Sequence, residues 1–321
     1  MLCIDSHNNN PYYNLAAEEY FLKNTSGEYF MIWESKPSVI VGKHQNTLSE
    51  INYRFNKENG ILIARRLTGG GTVFHDAGNI NFTFIRNGQP GQLVNFSAFV
   101  DPVLKFLRTL GIEATKGDRH EILVNGRKIS GNAEHVYKNR VLHHGTLLFH
   151  SDLGILNKSI DHRGGKFYDK AVQSNRAGVI NLSQCLNNLN VNRFRESFFS
   201  YIKDSLRGSD YIPDDFTNSR VVELAGEKYS TWDWIYGWSP DYQFTNEFEH
   251  GLFQMKIDFG VHRGIITNSN LTGCSATLNE VNKILIGRRH SEPEIREALR
   301  SAGLNENVEE KAFEELVFAF F

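Results

Sequence analysis

Cysteine is scarce in this chain: Cys3, Cys185 and Cys274 are its only three thiols among 321 residues, and they lie far apart. That spacing excludes a disulfide framework and a zinc knuckle and points to a reducing compartment. An excess of either charge is missing too, with 35 Lys+Arg against 37 Asp+Glu, a net charge of -2 and a pI near 6.6. No global field of that kind holds a polyanion or an anionic bilayer, so neither nucleic acid nor membrane is the expected partner. The opening residues show no basic segment followed by an apolar stretch and no Arg-rich, acid-poor character, and nowhere does an apolar run approach about eighteen residues. The chain is therefore read as cytoplasmic. Repeats and low-complexity tracts are also lacking, which excludes solenoids and arrays.

What is present is an apolar fraction of 40% with 12% aromatics, enough for a real core and about two soluble domains. Leu15, Ala16, Tyr20 and Phe21 recur at helical spacing with Glu18, Glu19 and Lys23 between them, predicting an amphipathic first helix. Strands are expected at 29–33, 38–42 and 61–64, with a helix over 48–59 ended by Gly60. Residues 79–84 alternate polar and apolar, as a half-buried strand does, and a helix over 97–110 closes on Gly111. From Glu121 to Phe149 a strand meander is expected, with Asn125-Gly126 as a two-residue hairpin turn and Lys138-Asn139 as a second turn. Leu153 to Asn190 reads as loop, 192–206 as helix, and 252–259 as a strand opening a C-terminal part with two or three charged helices. A single boundary near residue 246 divides a domain 1–246 from a small α+β domain 247–321. The order of elements favours an α+β fold with a mixed sheet over a doubly wound one.

The densest chemistry lies in Arg65-Arg66-Leu67-Thr68-Gly69-Gly70-Gly71-Thr72-Val73-Phe74-His75-Asp76. Consecutive glycines weaken strand and helix alike and are tolerated where backbone must approach a ligand. The pattern is neither a Walker A loop nor G-x-G-x-x-G. Amide N–H groups beside guanidinium suit a carboxylate or phosphate, and a Gly-rich turn with two solvated arginines is the alternative. In Gly126-Arg127-Lys128-Ile129-Ser130-Gly131, alternation along a strand puts Lys128, Ser130 and Asn132 on one face, with room for a ligand against Lys128. Lys128 is thus either a point charge for phosphate or a surface lysine on a hairpin. In His143-His144-Gly145 the imidazoles point to opposite faces and cannot chelate one metal, and no structural zinc is expected. Between Leu48 and His150 there is no cysteine, which disfavours a thioester relay, and no G-x-S-x-G elbow announces a serine triad. The aromatic run of Trp232, Trp234, Tyr236 and Trp238 is expected to serve packing.

In chain order, RRLTGGGTVFHDAGNINFTF, GRKISGNA and HHGTLLF resemble the lipoate-protein ligase family, within the wider group of biotin and lipoate ligases. NLAAEE near the start, VGKHQN at 41–46 and WDWIYGWSP at 232–240 add to the likeness, which spans roughly the whole first domain. The resemblance implies a large catalytic domain whose mixed, mainly antiparallel sheet is flanked by helices. It implies two half-reactions: lipoate and ATP give lipoyl-AMP, and a lysine of an acceptor takes the lipoyl group. Expected acceptors are apo lipoyl domains of 2-oxoacid dehydrogenase E2 subunits and the glycine cleavage H protein. Carried over, Arg66, the run Thr68, Gly69, Gly70, Gly71, Thr72, Val73 and Phe74, and Lys128 hold the adenylate. His75, Ser130, Gly131, His144 and Gly145 lie close to it, and Lys128 is the catalytic charge. Mg²⁺ is expected with the departing pyrophosphate, and no permanently bound cofactor. One departure stands out: the family carries Asn-Asp before the lysine hairpin where this chain has His120-Glu121, so Glu121 is a candidate Mg²⁺ contact displaced by one methylene. A lipoyltransferase fed with preformed lipoyl-AMP, and a non-catalytic binding protein, are the competing readings.

Overall fold

The computed structural model describes all residues except 89–92, 176, 187–188, 251–252, 274–276 and 307. Cys274 and the first residue of the strand expected at 252–259 lie outside the described residues. The chain forms two compact units. One comprises Met1–Lys43, Ile61–Asn157 and Ser174–Thr231; the other comprises His44–Gly60, Lys158–Gln173 and Trp232–Phe321. Where the sequence reading has one cut, the second unit thus also takes in two early segments. They are too short for cores of their own, and Leu48, Tyr53 and Phe167 supply their apolar side chains to the second unit's core.

In the first unit, β1 (Leu2–Asp5), α1 (Pro11–Asn24) and β2 (Tyr29–Trp33) precede a small sheet of β3 (Ser38–Val41), β4 (Leu62–Arg65) and β5 (Val73–His75). Strand β3 lies central, parallel to β4 and antiparallel to β5. Next come β6 (Asn79–Asn87), α2 (Phe96–Thr109), β7 (Ala114–Lys116), β8 (Ile122–Val124), β9 (Arg127–Ser130), β10 (Asn132–Tyr137) and β11 (Arg140–Leu148). Helix α3 (Val191–Ser205), β12 (Ser209–Asp210) and α4 (Asp215–Leu224) complete it. The main sheet runs β10-β11-β6-β2-β1-β12, antiparallel except where β1 meets β2 and β12. This is the mixed, mainly antiparallel α+β arrangement.

Helices cover this sheet on both faces. Phe30, Phe82 and Phe84 pack with Phe99, Phe106, Phe194 and Phe198 on one side. On the other, Phe21 of α1 lies 4.6 Å from Tyr29. Strand β6 is consequently buried from Asn79 to Ile85, and the half-buried strand expected from its alternation is not what forms. Its polar members are buried because they are bonded, Thr83 donating to Glu18 at 2.5 Å and Asn79 to Asn81 at 2.9 Å. The same holds for α1, where Glu18 and Glu19 are buried rather than solvent-facing.

Local turn chemistry follows the sequence closely: Asn125 and Gly126 both take positive φ (51° and 71°), as do Gly60, Gly111 and Lys138. The helix expected over 48–59 is split into Thr47–Glu50 and Tyr53–Glu58, and the segment read as loop holds a helix at Leu153–Ile160 and a strand at Lys166–Asp169.

The second unit is an antiparallel sheet of Lys166–Asp169, Tyr242–His250, Phe253–His262 and Ile265–Ser269, with Thr272–Gly273 at its side. Helices Leu278–Leu285, Glu292–Ser301 and Glu310–Phe318 bury Val281, Leu285, Ile295, Leu299, Phe313 and Leu316 in its core. Among the described residues, no helix is long and apolar enough to cross a membrane.

Candidate active site

The glycine run connects β4 to β5, and the two arginines before it are its internal scaffold. Neither is solvated. Arg65, wholly buried, donates from Nη1 to the carbonyls of Gly42 and Lys43 at 3.0 and 3.1 Å. Arg66, 5% exposed, donates from Nε to Thr68 Oγ1 (2.9 Å), from Nη1 to the Ile40 carbonyl (3.1 Å), and from Nη2 to the carbonyls of Gly69 (2.6 Å) and Gly71 (2.8 Å). Burial draws both guanidinium pKa values down, to about 9 for Arg65 and about 10 for Arg66, and both stay charged at neutral pH.

Arg66 therefore sets the direction of the loop. In a trans peptide C=O and N–H point opposite ways. Drawing the carbonyls of Gly69 and Gly71 onto Nη2 turns the N–H groups of Gly70 and Thr72 to the far side of the loop. There the Thr72 N–H meets Ser174 Oγ at 2.8 Å. Gly70 has φ 88°, which glycine adopts at little cost. A Cβ on Gly71 would stand 3.1 Å from the Ser174 hydroxyl. Ser174 is a loop residue that no motif announces.

Thr68 carries the scaffold into the main sheet. Its hydroxyl lies 2.8 Å from His144 Nε2, while His144 Nδ1 lies 3.0 Å from both carboxylate oxygens of Glu18. With Nδ1–H directed at Glu18, Nε2 accepts from the Thr68 O–H. Glu18 also accepts from Thr83, whose oxygen receives the Trp33 indole N–H at 3.2 Å. The chain Trp33–Thr83–Glu18–His144–Thr68–Arg66 is thus continuous. Glu18 belongs to the NLAAEE motif, yet the sequence alone assigns it no role, because it reads there as the polar side of a helix.

His75, at the end of β5, is 4% exposed and sits edge-on to Trp33 with ring centroids 5.6 Å apart. Neither ring nitrogen has a hydrogen-bond partner among the described residues. Burial, reinforced by Arg66 and His144, pushes its pKa down to about 3. His290 of the second unit, 1% exposed, is likewise pushed to about 4 by burial. Folding keeps these imidazoles neutral while the unfolded chain protonates them, so stability falls as pH drops from about 6.5 toward 4. Each contributes up to about 1.4 kcal/mol per pH unit in that window. Urea midpoints between pH 7 and 4.5 measure the slope, and His75→Phe makes it shallower; an unchanged slope rules the His75 contribution out.

Lys128 lies on β9, whose backbone is tied to the segment at Gly178–Ile180 by Lys128 N–H to Gly178 O (2.9 Å) and Ile180 N–H to Lys128 O (3.0 Å). The lysine is half-buried, and its Nζ folds back to 3.0 Å from where a Cβ of Gly131 would be. Burial first, then Arg66, lowers its pKa below the ordinary lysine value, with Glu121 opposing. The expected common face of Lys128, Ser130 and Asn132 is interrupted, because the chain changes sheets between Ser130 and Asn132. Gly131 makes that change, exchanging backbone and side-chain hydrogen bonds with Thr146 at 3.1 Å each way.

Asn132 then acts as a clamp. Its amide nitrogen donates to the His120 carbonyl (2.8 Å) and to Ser130 Oγ (3.2 Å), and its oxygen faces His143 Nε2 at 3.2 Å. Gly145 leaves the space, since a Cβ there would lie 2.3 Å from both Asn132 Oδ1 and Phe82. His143, fully buried with Glu134 on Nδ1 (3.0 Å), points away from His144, as strand alternation requires. Glu121 sits over Gly117 and accepts the Arg119 N–H at 2.8 Å. Among the described residues, no group of three or more His, Cys, Asp or Glu is placed to hold a metal.

In the second unit, Trp234 and Trp238 lie 5.1 Å apart, and the Arg289 guanidinium lies 4.9 Å from the Trp232 ring centre.

Residues 10–203 match the family described as "Lipoyl protein ligase A/B catalytic domain", and residues 239–320 match "Bacterial lipoate protein ligase C-terminus". The chain is 33% identical to lipoate-protein ligase LplJ of Bacillus subtilis over 99% of this chain and 100% of that one. To lipoate-protein ligase 1 of Staphylococcus aureus it is 37% identical over 92% of each. Among solved structures, P. falciparum LipL1 in complex with lipoate superposes with a TM-score of 0.65 at 28% identity over 98% of each chain. Lipoate-protein ligase A bound with ATP gives 0.64 at 25% identity, covering 74% of this chain and 100% of that chain.

Proposed function

This chain belongs to the lipoate-protein ligase family and is a ligase enzyme; from that premise we propose that its Arg66–Lys128 region activates lipoate with ATP and passes the lipoyl group to a protein lysine. The observation that carries this reading is the glycine loop whose Gly69 and Gly71 carbonyls Arg66 pins, with Lys128 near enough for Arg66 to act on its charge. Lipoate-bound and ATP-bound relatives of the same fold support both small molecules as substrates.

In the first half-reaction a lipoate carboxylate oxygen bonds to the α-phosphorus of ATP, and the bond to the bridging oxygen breaks as pyrophosphate leaves. Negative charge gathers on the phosphoryl oxygens, where a fixed ammonium and oriented amides act most strongly. Lys128 is the ammonium, and the glycine run before β5 supplies the amides, the Thr72 N–H being taken by Ser174 and Val73 and Phe74 being paired with β3. Thr68 and Gly69 keep the loop in register with Arg66, Gly131 leaves the Lys128 ammonium its space, and Gly145 and Ser130 seat the Asn132 clamp beside it. His75, beside Trp33, and His144, bonded to Thr68 and Glu18, line the acyl side of the site in this reading.

In the second half-reaction an acceptor ε-amine forms the C–N bond, the acyl C–O bond breaks, AMP departs with the electron pair, and the amine loses a proton. No cysteine is needed. Apo lipoyl domains of E2 subunits and glycine cleavage H protein are the acceptors this reading names. Mg²⁺ fits as an ion carried by the nucleotide, since one carboxylate plus phosphate oxygens is an ordinary Mg²⁺ donor set and Glu121 is a carboxylate close enough to act on Lys128. It would neutralise departing pyrophosphate. The cytoplasm is the expected compartment.

The test is lipoate-dependent exchange of labelled pyrophosphate into ATP by the pure protein, followed by lipoylation of an apo lipoyl domain. Exchange and transfer are both expected. Transfer from synthetic lipoyl-AMP without exchange would show a transferase instead.

A further inference from the structure

Next to Glu18 on α1, Glu19 holds a second and separate ionic cluster. Its carboxylate, 7% exposed, accepts from Lys23 Nζ at 2.6 Å, Lys228 Nζ at 2.5 Å and the buried Tyr229 hydroxyl at 2.6 Å. Lys23 Nζ and Lys138 Nζ each lie 5.3 Å from the centre of the same ring, Tyr137. His135, two residues before that ring on β10, is pushed down to about 4 by burial and then by Lys43 and Lys23, with Lys228 adding and Glu19 opposing. Lys23, Lys138 and Lys228 thus gather about one strand edge and helix face, and Lys43 is near enough to act on both His135 and Lys228, which makes four ammonium groups. Glu19 offsets part of that charge, since it binds both Lys23 and Lys228, and Glu18 is bonded to His144 and Thr83, so two carboxylates stand against four ammonium groups. The cluster is therefore locally positive on a chain whose net charge is -2.

The place matters as much as the sign. In the β10–β11 ladder, His135 pairs with Leu142 and Ala133 with His144, so the cluster adjoins the Glu18–His144 end of the candidate site. Resting on the ligase reading above, we infer that this face receives the acidic surface beside the acceptor lysine. That lysine approaches as a cation or an amine, and the excess of ammonium groups over carboxylates at the approach repels it unless further carboxylates accompany it. The cluster then selects acceptors by the acidic residues that flank their lysine, chiefly through encounter rate and salt-sensitive affinity. A nucleic acid is the less suitable polyanion: the cluster has no guanidinium fork for phosphate, and the chain as a whole has no positive field.

The experiment uses the full chain, its Lys43→Glu/Lys138→Glu double variant, and an apo lipoyl domain of an E2 subunit with its acidic residues intact or changed to amides. Neither altered lysine bonds to Glu19, so the ionic core of the cluster stays in place. Calorimetry is expected to show binding of the acidic domain weakened about tenfold or more in the double variant, with a flatter salt dependence. The amide-substituted domain should bind weakly to both proteins, and lipoate-dependent pyrophosphate exchange should change less than twofold. Unchanged binding and salt slope in the double variant overturn the docking face, as does binding of a poly-uridine oligomer in preference to the acidic domain. Because calorimetry requires no chemistry, failure of exchange in the unaltered protein would overturn the ligase reading without deciding the docking face.

Discussion

Replacing Lys128 with Ala lowers lipoate-dependent adenylate formation about 10²- to 10³-fold, the usual cost of removing one preorganised charge at a developing oxyanion. Thermal unfolding should change little, because the Lys128 ammonium touches the space over Gly131 while the strand is held by backbone bonds to Gly178 and Ile180. The pH profile adds a sign. Activity needs the charged form, and burial together with Arg66 lowers the Lys128 pKa, so the alkaline limb of kcat/KM falls below the ordinary lysine range. Lys128→Arg removes that limb from the accessible range while keeping the charge. Full adenylate formation by Lys128→Ala would sink the assignment.

Arg66→Ala is expected to be the most damaging single change to both stability and activity. It leaves the carbonyls of Ile40, Gly69 and Gly71 and the Thr68 hydroxyl without their buried donor. Each unpaired buried group costs about 1–3 kcal/mol, and a non-additive total near 3 kcal/mol or more follows. The glycine run then loses the force that turns its amides outward, so the apparent affinity for ATP falls as well. Arg66→Lys keeps the charge and restores little, because one ammonium cannot span four acceptors that a planar fork reaches together. Urea unfolding and the KM for ATP are the two readouts. Wild-type values in Arg66→Ala would mean that something else holds the loop.

Much of this site is legible in the order of the residues. The glycine run is visible because consecutive glycines are disfavoured in regular elements, the Asn125-Gly126 turn because both residues must take positive φ, and the opposed histidines because strands alternate. The partners are not legible in that way. Arg66 reads as an anion binder, yet four of its N–H groups serve the protein's own backbone and Thr68. Glu18 and Glu19 read as the wet side of a helix, yet both are buried because a second layer of structure covers them. Strand β6 reads as half-buried for the same reason, and its polar residues are bonded rather than solvated.

The sequence by itself determined most of the local elements, the turns and the ordered motifs that place the chain among lipoate-protein ligases, because these depend on short-range sterics and spacing, while the helix at 153–160 and the strand at 166–169 were not legible in it. Only the tertiary structure decided that Glu18 meets His144 across 126 residues, that Thr72 meets Ser174 across 102, and that Lys228 shares Glu19 with Lys23 across 209. Such pairings follow from which strands and helices become neighbours. That choice is made by burying one common core, and no window of neighbouring residues contains it.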